Sequence, residues 1–426
     1  MRTFLTIFAL ACFSVTLWAF DNLVPQRRTY TAPPVGTRFA FQSVDTMKYS
    51  RDLAREKAAD PSFDSMIDAQ MAAIAATGAT HVAIATPYDE EFLPMLWRWV
   101  AAARRHGLKV WFRGNLSGWE GWFGYQRIGR DEHTRKIDAF IFANRDLFED
   151  GDAFSTCPEC ENGGSGDPRK TGDTAGFRNF LIREHDTVTA DFAKLGKSVR
   201  TDLFSMNADV ARLVMDKPTT RALGGTVTID HYVKTPEQLA SDVESIAKQS
   251  GGKVVLGEFG APIPDIHGNM TEAQQADWVD RTLSLLERSK IVNGVNYWLA
   301  VGGSTEIWSK AGTEYEAVSV LRRHFSPTYA YGYVSDELGH PLPGASVSVG
   351  EDIVTTEKNG WFVLKLPSTS AVSLTVSASG YVTRAVPETS GSHEASVTLV
   401  REHPNLRLHI LKLFKPLVDS FHKSQT

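Results

Sequence analysis

The sequence predicts an α/β protein: a (β/α)8 TIM barrel over residues 36–325, followed by a small all-β sandwich domain over 328–400. Three observations point there. Strand-like and helix-like segments alternate eight times across roughly 290 residues, a size that suits such a barrel with insertions. The turn around Phe41-Gln42-Ser43-Val44-Asp45 lacks the glycine-rich phosphate loop that an open doubly wound sheet usually carries after its first strand. From Tyr329 onward the texture changes to short alternating runs with glycine turns and few helix formers.

In chain order, apolar β-prone runs lie at 38–43, 81–85, 109–113, 153–156, 197–203, 226–229, 253–256 and 294–298. Between them, apolar residues recur at helical spacing over 63–76, 90–106, 138–148, 175–195, 208–215, 236–250 and 271–289, and a last helix is read at 315–324. Gly78, Gly107, Gly196 and Gly251 punctuate helix-to-strand joints, where a left-handed C-terminal cap suits glycine. The sandwich strands are read at 331–334, 345–349, 361–366 and 372–378, with turns at Gly339, Gly344, Gly360 and Gly380.

The flanks differ from this core. Met1-Arg2-Thr3 followed by the uncharged run 4–19 has the layout of a secretory signal or membrane anchor, so an extracytoplasmic location is expected, with a Pro-rich linker over 20–35. The tail, 401–426, sets Leu406, Ile410, Leu413, Leu417 and Phe421 among Arg407, Lys412 and Lys415. Such a basic amphipathic helix either contacts an anionic membrane surface or a partner, or packs on its own protein. With 42% hydrophobic and 22% charged residues, the chain is neither wholly disordered nor a coiled coil. A net charge of −5 argues against a nucleic-acid coat protein, so no nucleic-acid partner is expected.

Catalytic side chains of a barrel stand at the C-terminal ends of its strands. The seventh strand ends Val254-Val255-Leu256-Gly257-Glu258-Phe259-Gly260, a carboxylate between two glycines that leave a substrate room to approach. The fourth ends Phe154-Ser155-Thr156-Cys157-Pro158-Glu159-Cys160-Glu161. Two carboxylates facing each other across a barrel mouth are what glycosidic cleavage needs: one acid for the leaving oxygen, one carboxylate beyond the anomeric carbon. Taken singly, Glu258 reads equally well as an ion-pair partner.

At these residues the chain resembles the clan A, family-5-like retaining glycoside hydrolases, over roughly residues 36–325. Gly257-Glu258-Phe259-Gly260 matches the nucleophile pattern, and the resemblance makes Glu159 the acid/base, 258 − 159 = 99 residues earlier. Pro158 stands where that clan usually has Asn, the residue that holds the sugar 2-hydroxyl, and Glu161 is the alternative acid/base. The resemblance also implies that Tyr232 hydrogen-bonds the nucleophile and that Trp298 floors the sugar site. His231, Arg113, Asn115, Trp119, Trp122 and Trp308 are further substrate-binding candidates, aromatic faces being suited to pyranose rings. The segments Gly332-Tyr333-Val334-Ser335-Asp336-Glu337-Leu338-Gly339, Asn359-Gly360-Trp361-Phe362 and Gly380-Tyr381-Val382 resemble carboxypeptidase-regulatory-like (transthyretin-like) modules, which serve as accessory domains.

Cys157 and Cys160 have three readings. A turn follows them, Glu161-Asn162-Gly163-Gly164, where a thioredoxin-like site would open a helix, and there is no second Cys pair for zinc. A local disulfide bracing Glu159 is the favoured reading, free thiols the other. The expected activity is retaining cleavage or transfer of a β-linked poly- or oligosaccharide, with no metal or organic cofactor. The rival is an inactive barrel that binds carbohydrate or assists surface assembly. A metallohydrolase using His81, His231 and Asp230 is discounted for want of ligand spacing.

Overall fold

The computed structural model describes residues 39–326, 328–350, 352–366, 373–387 and 392–403. The N-terminal apolar run, the linker and the amphipathic tail from 404 lie outside the described residues. Among the described residues no helix is long and apolar enough to cross a membrane. The chain divides into two compact units, one of them Gly36–Ser326, the other containing the segment from Pro327.

The first unit is a barrel of eight parallel strands: β1 Phe41–Asp45, β2 His81–Ile84, β3 Lys109–Phe112, β4 Ala153–Phe154, β5 Ser205–Asn207, β6 Thr226–Asp230, β7 Lys253–Phe259 and β8 Val292–Tyr297. They run β4-β3-β2-β1-β8-β7-β6-β5, and the ring closes where Ala153 bridges Arg200, in the chain leading into β5. Two backbone bonds make that closure, Phe154 N–H to Arg200 O at 2.8 Å and Arg200 N–H to Asp152 O at 2.7 Å. A principal helix follows each strand: α1 Phe63–Ala75, α2 Leu93–Arg105, α3 Arg130–Ala143, α4 Thr174–Lys194, α5 Ala208–Val214, α6 Pro236–Ser250, α7 Glu272–Arg288 and α8 Glu316–Phe325.

Both β6 and β7 are nearly all buried, and β7, covered on both faces, accordingly carries the apolar run Val254-Val255-Leu256. One set of side chains, Phe41, Ala83, Trp111, Ala153, Leu203 and Val255, forms a small core of its own, separate from the large one that includes the helices. The register aligns Asp45 with Ala83 and Trp111 on one side, and Val44 with Tyr297 and Phe259 on the other. Asp230 pairs with Glu258 across a register shift, so the carboxylates at the ends of β1, β6 and β7 share one rim.

Within the barrel, three elements differ most from the sequence reading. The first strand is displaced toward Asp45, which becomes a strand-end residue. The segment 197–203 makes a bridge at Arg200, and pairing with β6 begins only at Ser205. The helix expected at 138–148 instead runs Arg130–Ala143, because His133 and Ile137 extend the buried stripe of Phe140 and Ile141 backward. Charged neighbours from Arg130 to Lys136 conceal that stripe in the sequence.

The second unit holds β9 Tyr329–Ser335, β10 Ser346–Val349, β11 Asp352–Thr355, β12 Trp361–Lys365, β13 Ser373–Ser377, β14 Arg384–Pro387, β15 His393–Glu394 and β16 Val397–Thr398. One sheet runs β11-β10-β13-β14, all antiparallel, and the other β12-β9-β15, with β16 also paired to β9. Alternating inward residues, Val347, Val334, Phe362, Leu364, Leu374 and Val376, fill the space between them.

Candidate active site

The rim is organised by Arg113, the residue after β3, whose side chain is only 1% exposed. Its Nη1 donates to Glu258 Oε1 at 2.6 Å and to Asp45 Oδ2 at 3.0 Å, and its Nη2 donates to Asp230 Oδ2 at 2.8 Å and Ser205 Oγ at 3.2 Å. Burial opposes the charge on Arg113, but Asp230, Glu258 and Asp45 together outweigh it and raise its pKa further. Burial also lifts the carboxyls of Asp45 and Asp230 above the usual range, against the pull of the same guanidinium. One buried cation thus serves three buried carboxyl groups.

Glu258 is gripped at both oxygens. Arg113 takes Oε1, and the Tyr232 hydroxyl donates to Oε2 at 2.7 Å. Burial, with the Glu258 charge beside it, keeps the Tyr232 phenol protonated far above its ordinary value. The flanking glycines have a reason other than substrate access. A β-carbon on Gly257 would sit 2.4 Å from Asp230 Oδ1 and 2.9 Å from Ser205 Cβ, and one on Gly260 would sit 2.5 Å from the Trp298 carbonyl. Gly257 lets Asp230 and Ser205 close up around Arg113, and Gly260 lets the chain after β8 pass close to the end of β7.

Glu159 stands in the left-handed region, at φ 46° and ψ 48°, in the turn closed by a Cys157–Cys160 disulfide. For a residue with a β-carbon that conformation costs about 1–2 kcal/mol. One carboxylate oxygen from each of Glu159, Asp230 and Glu258 lies within 4.8 Å of the other two. Burial pushes the Glu159 carboxyl up to about 8, with the Glu258 charge adding to it and Arg113 opposing. These three form the one group among the described residues whose oxygens converge closely enough to share a cation, but Arg113 already supplies positive charge to two of them.

Glu161 turns away from this gap. Its Oε1 accepts from the backbone N–H of Asn207 at 2.7 Å and from Asn207 Nδ2 at 3.0 Å, which ties the fourth strand-end loop to the start of α5.

The other sequence candidates divide. Trp298, joined to Leu299 by a cis peptide, stays partly exposed with its ring 5.8 Å from that of Tyr232. Trp122 is half-buried, with the Arg51 guanidinium 4.7 Å from its ring centre. Beside it Glu120 is pushed up to about 7 by burial, against the pull of Arg51.

Four candidates lie off the cluster and are engaged by neighbouring side chains and backbone. His231 gives its Nε2 to Asp242 on α6 at 2.9 Å, an acid that also holds Arg212 of α5. Asn115 is fully buried and accepts from His133 Nε2 at 2.8 Å while its Nδ2 approaches Cys157 Sγ at 3.7 Å. Trp119 is stacked 5.2 Å from Phe180 of α4 and donates to the Cys160 carbonyl at 3.0 Å. Trp308 is buried in the main core. The discounted metal set is dispersed: His81 bonds Gly151 O and Thr80, His231 bonds Asp242, and Asp230 bonds Arg113.

The sequence reading missed Asp45, Ser205 and Glu120, and weighed Asp230 only as a metal ligand. Asp45 carried a usable signal, since it ends the run Phe41-Gln42-Ser43-Val44-Asp45.

The barrel has a glycoside hydrolase-like fold. It is similar to a GH5_18 protein of Bifidobacterium longum subsp. longum solved with Manb1-4GlcNAc, at 16% identity over 72% of this chain and 86% of that one, TM-score 0.51. A GH5_18 protein of Streptomyces cattleya solved with GlcNAc is similar at 16% identity, over 71% and 85% of the two chains, TM-score 0.50. One from Bifidobacterium longum subsp. infantis stands at 14% identity, 72% and 87%, TM-score 0.50. Residues 331–401 match the family of the carboxypeptidase regulatory-like domain. No curated protein matches the chain in sequence.

Proposed function

We propose that this chain is a retaining glycoside hydrolase, or transglycosidase, acting on a β-linked glycan. The observation that carries this reading is the pair Glu159 and Glu258: near enough for oxygens to lie within 4.8 Å, yet in opposite environments. So close an approach of oxygens supports a retaining pair, whose carboxyl groups stand about 5–5.5 Å apart, over the wider spacing of inverting enzymes. Glu258 receives two donors suited to a carboxylate, whereas burial holds a proton on Glu159 near neutral pH.

In the first step Glu258 attacks the anomeric carbon as the glycosidic bond breaks, and Glu159 passes its proton to the departing oxygen. In the second, Glu159 takes a proton from water, whose oxygen bonds the anomeric carbon as the Glu258 ester bond breaks. A sugar hydroxyl in place of water gives transfer. Trp298 and Trp122, both partly exposed, are the aromatic surfaces for the sugar rings. The GH5_18 proteins solved with Manb1-4GlcNAc and GlcNAc make such saccharides the first to try. The buried disulfide supports an oxidising, extracytoplasmic location, in keeping with the N-terminal apolar run.

The test is product release from Manb1-4GlcNAc and a panel of aryl β-glycosides by wild type and Glu258→Gln. Release by wild type with retained anomeric configuration, and a loss of roughly a thousand-fold or more in the variant, is expected. Full activity in Glu258→Gln overturns the mechanism, and saturable sugar binding without turnover by wild type would make the barrel a carbohydrate-binding protein.

A further inference from the structure

The glycosidase reading gives Glu159 its role but leaves open what holds its carboxyl in place. Glu159 is one of two non-glycine residues with positive φ among the described residues. A side chain-bearing residue leaves that region unless its surroundings over-determine it. Around Glu159 they do. Its N–H donates to Ser205 O at 2.8 Å and its carbonyl accepts from Asn162 at 2.9 Å. The disulfide closes the turn across it, with the two cysteine Cα atoms 5.1 Å apart. The cystine is itself seated: Cys157 and Cys160 are 0% and 2% exposed, Asn115 Nδ2 approaches Cys157 Sγ, and Trp119 Nε1 holds the Cys160 carbonyl. Asn115 in turn is fixed by Leu116 N–H and by His133 of α3, both bonded to its Oδ1. A continuous set of contacts therefore runs from an outer helix to the backbone of Glu159.

We propose that the Cys157–Cys160 disulfide and Asn115 are positioning elements for the acid/base residue. The cystine holds the left-handed turn that directs the Glu159 carboxyl toward Glu258, and Asn115 seats the cystine. This rests on the assignment of Glu159 made above. The grip on Glu258 by Arg113 and Tyr232 comes from other strands, so it does not depend on the cystine. Loss of the cystine should consequently impair proton donation and spare nucleophilic attack.

Leaving groups separate the two. A dinitrophenolate departs without a proton, whereas an alkoxide or a second sugar needs one. The experiment measures kcat/KM of the full chain on a dinitrophenyl β-glycoside and on a methyl β-glycoside or disaccharide of the same sugar. Wild type is compared with Cys157→Ser/Cys160→Ser and with Asn115→Ala. The expected result is a fall of about ten-fold or more on the poor leaving group, and less than about two-fold on the dinitrophenyl glycoside. Equal losses on both substrates, or none on either, overturn the proposal. Should the double variant lose its native near-ultraviolet circular dichroism, wild type reduced in place with a phosphine is assayed on the same pair and read by the same criteria. A wild type that cleaves no glycoside removes the parent assignment instead, an outcome visible before any cysteine is changed.

Discussion

Arg113 and Glu258, 145 residues apart in sequence, are joined by a 2.6 Å ion pair, and the nitrogen that makes it also donates to Asp45. The proposed nucleophile therefore shares its cation with a buried carboxyl group that no substrate needs to touch. Replacing Arg113 by Met removes the cation and keeps much of the volume, leaving Asp45, Asp230 and Glu258 unpaired. Stability at pH 7 should fall by about 3–5 kcal/mol in denaturant unfolding, and the deficit should narrow as acid protonates Asp45 and Asp230.

Tyr232 donates to the other oxygen of Glu258 through a single hydroxyl. Tyr232→Phe keeps the ring against Trp298 and deletes only that bond. A hydrogen bond to a charged group contributes about 1.5–3 kcal/mol, so kcat/KM should drop roughly 10- to 100-fold while the melting temperature changes little.

The Glu159 carboxyl, held up to about 8 by burial and by Glu258, sets two pH responses that both fall as pH rises. Catalysis that needs its proton should decline as pH rises through about 8. Stability has its own sign: between the ordinary carboxyl range and about 8, the unfolded chain has lost a proton that the folded chain keeps. Folding is therefore progressively disfavoured as pH rises across that window. Glu159→Gln removes the effect, so its melting temperature should exceed that of wild type at pH 8 and match it near pH 4.

Trp119 and Trp298 should behave differently despite the same chemistry. Trp119→Ala opens a cavity beside Phe180 and should lower stability by about 3–5 kcal/mol, read in denaturant unfolding. Trp298→Ala, at a partly exposed ring, should raise KM for the sugar with a smaller loss of stability.

What the sequence made legible follows from what burial does to composition. β7 is covered on both faces, so Val254-Val255-Leu256 announces a strand, and a carboxylate after it stands out. The turn around Glu159 was visible as a cysteine pair about a charged residue, and the structure closes that pair. Direction was not legible. His231 follows the strand end and turns outward to Asp242, and nothing in Asp230-His231-Tyr232 distinguishes it from Tyr232, which turns toward Glu258. Trp119 and Trp298 look alike as letters, and only the stacking against Phe180 separates a packing ring from an accessible one. Asp45 is hidden because the apolar run 38–43 ends two residues before the strand does, and that shift turns a loop aspartate into a rim carboxylate.

The barrel's closure is uneven. β4 is two residues long and meets the next wall through an isolated bridge at Arg200 and a few separate backbone bonds, whereas β7 has seven residues and strand neighbours along both edges. The ring is thus a hoop with one thin weld, and Glu159 sits just beyond the weld while Glu258 sits on the thickest part. Breathing of the hoop should concentrate there: the amides of Phe154, Glu159 and Arg200 should exchange with solvent ahead of those in β7. The two carboxylates differ in mechanical footing as well as in charge, one on a fixed anvil and the other on an arm whose swing the four-residue cystine turn restrains.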